Sequence, residues 1–181
     1  MPETKVEKLM PWRKSTIGGM TAQRLLLQSE RNSYVEGWAC NLISEKVLAT
    51  RRTKQRIETI VLSPADFGFE EYPTTAELLN PTRLLEWSKQ NTHRLPEGSF
   101  VELLPTEAGP HIRDQYKDQP KGEYLTVASE RIIDPVGKPN LFVLAGDCVN
   151  EKPHLGSSEA LPDGRWQLDT RLLFRLRKVA P

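Results

Sequence analysis

The order in which helix and strand signals occur along the chain limits the possible folds more than any other feature. Up to about residue 91, capping boxes recur, in which a Ser or Thr accepts a backbone N–H and a Glu three residues later bonds back to it. After residue 99 the sequence consists mainly of short apolar runs separated by turn residues. Helices in one half and strands in the other are typical of α+β proteins. We therefore expect an α+β fold, in which N-terminal helices pack over one face of a mostly antiparallel sheet formed largely by the C-terminal half.

The helix signals give the most specific local predictions. Thr21 is placed to cap a first helix. Ser33 and Glu36 form one capping box, and Thr74 and Glu77 form another. The helix after Ser33 has the spacing of an amphipathic helix, and its apolar face is predicted to be core. That face contains Tyr34, Val35, Trp38, Leu42 and Ile43.

Length and turn residues set the expected domain organisation. A chain of 181 residues is the size of one domain with a substantial core. Residues 1–20 are predicted to be a flexible N-terminal segment, anchored at most by Trp12, and residues 21–181 a single α+β domain. In that domain we expect a first strand at residues 57–62, a polar loop at 150–164, and a last strand or strand pair at 165–179.

Several classes of function receive no support from sequence motifs. There is no phosphate-binding GxxxxGK[ST], no GxGxxG after a strand, no HExxH and no GxSxG. The three histidines and two cysteines lack the spacing of metal ligands, so we expect neither a metal nor a cofactor. A net charge of +1 gives no overall attraction to nucleic acid or to anionic lipid. No signal peptide or membrane-spanning run is recognisable, and a cytoplasmic location without membrane partners is expected.

The segment from Thr106 to Leu125 contains the best candidate site. It combines carboxylates, amides, a tyrosine and one arginine with turn-forming Pro and Gly. The arginine can pair in bidentate fashion with a carboxylate or a phosphate, either within the chain or on a ligand. The candidate binding residues are Glu107, Arg113, Gln115, Tyr116, Asp118, Gln119 and Glu123.

The same segment resembles a sequence pattern of small, uncharacterised bacterial proteins, approximately E-x-G-P-x-[LI]-R-x-Q-Y-x-D-Q-P-x-G-E-[WY]-L. The matching residues are Pro105, Glu107, Gly109, Pro110, Arg113, Gln115, Tyr116, Asp118, Gln119, Pro120, Gly122, Glu123 and Leu125. The similarity extends over most of residues 35–178. Leu104 stands where the pattern often has Cys, so a catalytic thiol there is not supported. The resemblance implies no particular activity.

Two functions and one structural role remain open for these residues. The segment could bind a protein partner or a polar ligand, with Arg113 and the two glutamines as polar contacts and Tyr116 as an aromatic anchor. It could be catalytic, with Glu107, Asp118 or Glu123 as acid or base and Arg113 stabilising negative charge on a polar or phosphorylated substrate. It could equally fasten a crossover to the sheet through buried hydrogen bonds. By analogy alone, a role as an interaction component of a mobile-element, stress or defence locus is expected, because small bacterial proteins without a catalytic template often have such roles.

A basic surface gives the third functional alternative, which is weak nucleic-acid binding. Its candidate residues on the last strand are Arg171, Arg175, Arg177 and Lys178. The run Arg51, Arg52, Lys54 and Arg56 could extend this surface, although such a run is more typical of a solvated connector. Arginines on the outer side of a final strand are also explained by protection of a sheet edge. We rank binding of a protein or polar ligand above both catalysis and nucleic-acid binding.

Overall fold

The computed structural model describes residues 7–149 and 151–179, except for the side chain of Cys148. Within these residues the chain forms five α-helices, a 3₁₀ turn at Ala65–Phe67 and nine strands. The helices are α1 Ala22–Asn32, α2 Gly37–Leu42, α3 Thr75–Leu78, α4 Pro81–Gln90 and α5 Ala108–Gln115. The strands are β1 Arg13–Ile17, β2 Tyr34–Val35, β3 Gln55–Leu62, β4 Ser99–Glu102, β5 Tyr124–Val127, β6 Ile132–Ile133, β7 Pro139–Val149, β8 Lys152–Glu159 and β9 Leu172–Lys178. The predicted α+β class is confirmed.

All the described strands join in one mixed sheet, with the order β1-β3-β9-β5-β7-β8-β2. One edge of β9 pairs with β3. The other edge of β9 pairs first with β5 and then, further along, with β4. The short strand β6 pairs with β7. Most pairs are antiparallel, but β2 with β8 and β5 with β9 are parallel. The last described strand therefore lies in the middle of the sheet. The prediction that arginines on this strand protect an edge is wrong, because β9 has neighbours on both sides.

The sheet is covered by helices on both faces, whereas the sequence predicted a single covered face. Alternate residues of β9 enter different cores: Leu173 packs on the side of α1, α2 and α5, and Phe174 on the side of α3 and α4. The same division occurs in β7, where Leu141 and Phe142 belong to opposite cores. A sheet that buries both faces needs apolar residues in consecutive positions, as these strands have. Since α5 also follows β4 in the chain, the helices are not confined to the N-terminal part.

The helix caps were predicted correctly where the signal was purely local. Thr21 accepts the N–H of Arg24 at the start of α1, and Thr74 and Glu77 form a complete capping box at α3. The second predicted box is wrong: Ser33 lies at the C-terminal end of α1, where its N–H donates to the Ser29 carbonyl. Glu36 begins α2 without a side-chain cap, so this spacing marks the end of one helix rather than the start of the next.

Three further predictions differ from the structure. Residues 1–20 were predicted to be flexible, but residues 13–17 form β1. Ser15 and Ile17 of this strand are buried, and its backbone pairs with β3. Residues 1–6 lie outside the described part of the chain. Within the predicted loop 150–164, β8 pairs along β7 through backbone hydrogen bonds, which do not require an apolar sequence. Trp38 was assigned to the core of α2, yet 61% of it is exposed.

Candidate functional site

The segment 106–125 contains helix α5, which lies flat against the sheet. Gly109 permits this close approach, because a Cβ atom at that position would lie 2.6 Å from Cβ of Phe142 on β7. The same helix also packs against α1 and β1. Every residue of α5 from Ala108 to Asp114 is buried. The helix is therefore part of the core, and only its C-terminal end and the following loop approach the surface.

Arg113 points into the protein, and its side chain is fully buried. Its guanidinium group donates to the Tyr116 carbonyl and to the side-chain oxygen of Gln119. Longer hydrogen bonds reach the carbonyl oxygens of Ala145 at 3.4 Å and His154 at 3.5 Å. One side chain thus connects the end of α5 with β7 and β8. These contacts hold the segment to the sheet.

The two glutamines contact main-chain groups of neighbouring strands. Gln119 donates to the carbonyl oxygens of Leu144, at 2.9 Å, and Glu123, at 3.1 Å. Gln115 accepts the N–H of Thr16 at 2.9 Å and donates to the Thr16 carbonyl at 2.7 Å. Its amide therefore pairs with the edge of β1 as a strand residue would. Both glutamines satisfy backbone groups within the chain.

Tyr116 lies at the centre of a second group of contacts, on the outer side of the segment. Its hydroxyl donates to Glu123 at 2.6 Å, and Glu123 also pairs with Arg171 at 2.7 Å. The Arg13 guanidinium lies 4.3 Å from the centre of the Tyr116 ring and 3.1 Å from the Asp118 carboxylate. Desolvation, followed by the bond to Glu123, raises the pKa of Tyr116 to about 12.

Trp12 completes this group of contacts from the N-terminal segment. Its ring meets the Tyr116 ring edge-on, with the centroids 4.9 Å apart. The predicted anchoring role of Trp12 is thus consistent with its position. Of the candidate residues, Tyr116, Asp118 and Glu123 meet here, whereas Arg113 and Gln119 meet on the inner side of the same segment.

Glu107 lies apart from the other candidates and is fully buried. Both its carboxylate oxygens accept the backbone N–H of Arg51, at 3.1 and 3.2 Å. The Nε2 atom of His111 lies 3.7 Å from this carboxylate and accepts the N–H of Gly18 at 3.1 Å. Because a backbone N–H only donates, this nitrogen is the acceptor in the contact with Gly18. Glu107 therefore holds the 49–51 loop beside α5.

A cleft of about 490 Å³ opens beside Glu107. Its polar lining contains both signs of charge: Thr50, Arg51, Glu102, Thr106, Glu107, Glu130 and Arg175. Arg175 pairs with Glu102 at 3.2 Å, and burial lowers the pKa of this arginine from its ordinary value. We call this space the charged cleft.

A second cavity, of about 580 Å³, adjoins the charged cleft and shares Pro81, Leu103 and Glu130 with it. Its remaining lining is mainly apolar and includes Leu79, Ile133, Pro139, Leu161 and Pro162. Together the two cavities form a groove with a charged end and an apolar end. Sequence reasoning named Glu107 as part of the 106–125 segment and Arg175 as part of a basic strand, favoured a solvated connector for Arg51, and did not single out Glu130. Only the sheet topology brings these residues together.

The proposed catalytic carboxylates do not all line one cavity. Glu107 lines the charged cleft, whereas Glu123 lines a different cavity together with Arg171, so the three proposed catalytic carboxylates do not converge. On the basic strand, Arg171 pairs with Glu123, and Arg175 and Arg177 both pair with Glu102. These acidic partners reduce the positive charge that this surface presents to nucleic acid.

The described residues contain no cluster of three or more His, Cys, Asp or Glu side chains that could hold a metal ion. None of the helices in this part of the chain is long and apolar enough to cross a bilayer. Comparison with protein-family models, with curated proteins and with solved structures gave no match.

Proposed function

We propose that the protein is a binding protein that holds an extended segment of a partner protein in the groove beside Glu107. The observation that carries this proposal is that the charged cleft and the apolar cavity are neighbours whose linings share Pro81, Leu103 and Glu130. A combined volume of about 490 and 580 Å³ exceeds that of many small-ligand pockets, which begin at about 300 Å³. An elongated groove of mixed character suits a chain whose side chains alternate in polarity.

Charge complementarity supports a peptide over a simple anion. Arg51 lies at the rim with 46% of its side chain exposed, and Glu130 is exposed where the two cavities meet. Among the described residues Glu130 has no ion-pair partner, so its carboxylate is available to a Lys or Arg of the partner. The lining of the charged cleft contains three carboxylates, Glu102, Glu107 and Glu130, against two arginines, Arg51 and Arg175, and this excess disfavours a ligand that carries only negative charge.

The apolar end of the groove supplies the contact area that a charged cleft alone lacks. Ile133 and Leu161 are 54% and 44% exposed there, and both line the second cavity. Exposed apolar side chains rimmed by polar groups are typical of protein interaction sites. We expect them to take one apolar side chain of the bound segment.

The other two functions receive less support from the geometry. Catalysis is less favoured because Glu107 lines the charged cleft, whereas Asp118 and Glu123 lie apart from it, beside Tyr116 and Arg13. Nucleic-acid binding would need a continuous positive surface, but Arg175 and Arg177 of β9 are paired with Glu102, and Arg171, just before β9, is paired with Glu123.

A random-peptide library displayed on phage and selected on the immobilised protein tests this proposal. Selected peptides are expected to contain a basic residue next to an apolar one. Measured by fluorescence anisotropy, Glu130→Lys and Ile133→Ser should each weaken binding about tenfold or more, which corresponds to about 1.4 kcal/mol.

The matched control is Leu27→Ser, because Leu27 is 52% exposed and lies on α1, outside the groove. It should leave the affinity unchanged, and circular dichroism should show all three variants folded. The proposal fails if no peptide is enriched, or if selected peptides bind the Glu130 and Ile133 variants as tightly as the wild type.

A further inference from the structure

Trp38 is the most unusual surface residue of the protein. It lies in the first turn of α2, whose residues Ala39 and Leu42 are buried, yet 61% of Trp38 itself is exposed. A tryptophan combines a large apolar face with one hydrogen-bond donor, and such side chains dominate binding sites when they are exposed. Its exposure requires an explanation that core packing does not provide.

Trp38 forms one wall of a cavity of about 250 Å³ whose other lining residues are all polar. They are Asp134, Lys138, Asn140, Ser157 and Glu159. These residues come from the turn between β6 and β7 and from neighbouring positions of β7 and β8. The cavity shares no residue with the groove and is smaller than the roughly 300–1,000 Å³ of pockets for drug-sized ligands. It fits a compact polar group.

The polar floor of this cavity is held in a fixed arrangement. Asp134 accepts the N–H groups of Val136, at 3.0 Å, and Lys138, at 2.8 Å. The amide nitrogen of Asn140 donates to Asp134 at 3.2 Å and to the Lys138 carbonyl at 2.9 Å. Asp134 and Asn140 are both more than nine-tenths buried. Since both hydrogens of the Asn140 amide are used, this residue has its side-chain oxygen to offer as an acceptor.

The charge balance distinguishes between two ligands that an exposed indole could bind. A quaternary ammonium ion is typically held in a cage of several aromatic rings, and among the described residues Trp38 is the one ring that lines this cavity. The Asp134 carboxylate is occupied by the turn, and Glu159 lies 3.7 Å from the ammonium group of Lys138. What the cavity offers instead is a mixture of donors and acceptors: an ammonium, a hydroxyl, an amide oxygen and a carboxylate.

From this combination we infer that the Trp38 cavity is a carbohydrate-binding site that takes a single sugar ring. A pyranose has an apolar C–H face that stacks on an aromatic ring, and its hydroxyl groups both donate and accept hydrogen bonds. Trp38 supplies the stacking surface, and Ser157, Lys138 and Glu159 supply partners for the hydroxyls. The inference is independent of peptide binding in the groove.

The test uses the indole N–H resonance of Trp38, which Trp38→Phe identifies in the ¹H–¹⁵N NMR spectrum. The probes are methyl glycosides of glucose, galactose, mannose and N-acetylglucosamine, with tetramethylammonium chloride as the competing chemistry. At least one glycoside is expected to shift the Trp38 signal saturably and to leave the signals of Trp87 and Trp166 in place. Ser157→Ala should weaken the same binding at least threefold.

Ser44→Ala is the matched control, because Ser44 is also half-buried and does not line the cavity. It should leave the affinity for the glycoside unchanged. The inference is overturned if no glycoside shifts the Trp38 signal, if only tetramethylammonium shifts it, or if Ser157→Ala binds the glycoside as well as wild type does.

Discussion

Replacement of Arg113 by alanine is the change whose effect follows most directly from the structure. The fully buried guanidinium donates to Gln119 and to the carbonyl oxygens of Tyr116 and Ala145. Each buried acceptor that loses its donor costs about 1–3 kcal/mol. We expect Arg113→Ala to lower the free energy of unfolding by about 3–5 kcal/mol, because several buried acceptors lose their donor together.

Urea unfolding followed by tryptophan fluorescence measures this loss. For a domain of this size it corresponds to a fall in melting temperature of about 6–20 °C. Arg113→Met retains most of the side-chain volume, so it should show most of the same loss if hydrogen bonding rather than packing is responsible. Arg52→Ala, at an exposed position, should change stability by less than about 0.5 kcal/mol. An Arg113→Ala protein that melts within about 2 °C of wild type would refute the assignment of Arg113 as the residue that holds the segment.

Two further predictions concern the same segment. Gly109→Ala should cost about 1–3 kcal/mol in urea unfolding, because the added Cβ would lie within 2.8 Å of the Phe142 ring; wild-type stability would mean that α5 does not lie so close to β7. For Tyr116, the folded pKa of about 12 exceeds the unfolded value near 10, so its contribution to stability is complete below about pH 10 and is lost as the pH rises towards 12. Melting temperatures of Tyr116→Phe should therefore fall less steeply than those of wild type over this range, and equal slopes would contradict the prediction.

Local signals were sufficient to predict the fold class and several helix starts. The cap at Thr21 and the box at Thr74 succeeded because each depends on residues within one turn. The same spacing gave a wrong prediction at Ser33. From sequence alone, a serine that caps the start of a helix cannot be distinguished from a serine that ends the preceding helix. The place of β9 in the middle of the sheet was beyond local reasoning, because strand order is decided by contacts between distant residues.

The sequence singled out the segment 106–125, but it did not predict the direction in which the side chains of this segment point. The high density of polar residues around Arg113 singled out this segment. The same density is expected whether these residues form buried hydrogen bonds to the sheet or an exposed binding site. Arg113 faces inward, and two of its acceptors, the carbonyl oxygens of Ala145 and His154, lie 32 and 41 residues further along the chain, on β7 and β8. The charged cleft has no sequence signature, since Arg51, Glu130 and Arg175 come from three separate parts of the chain.

The central position of β9 has a consequence for how the chain folds during synthesis. β3 and β5 each pair with β9 on one edge. Among the described strands, β9 is the last to be synthesised. Until residues 172–178 emerge from the ribosome, β1 with β3 and β5 with β7 and β8 remain two separate partial sheets with open edges. Such late, non-local pairing slows folding and exposes unpaired strands to aggregation. The nascent protein is therefore expected to depend on chaperones most strongly just before β9 is complete.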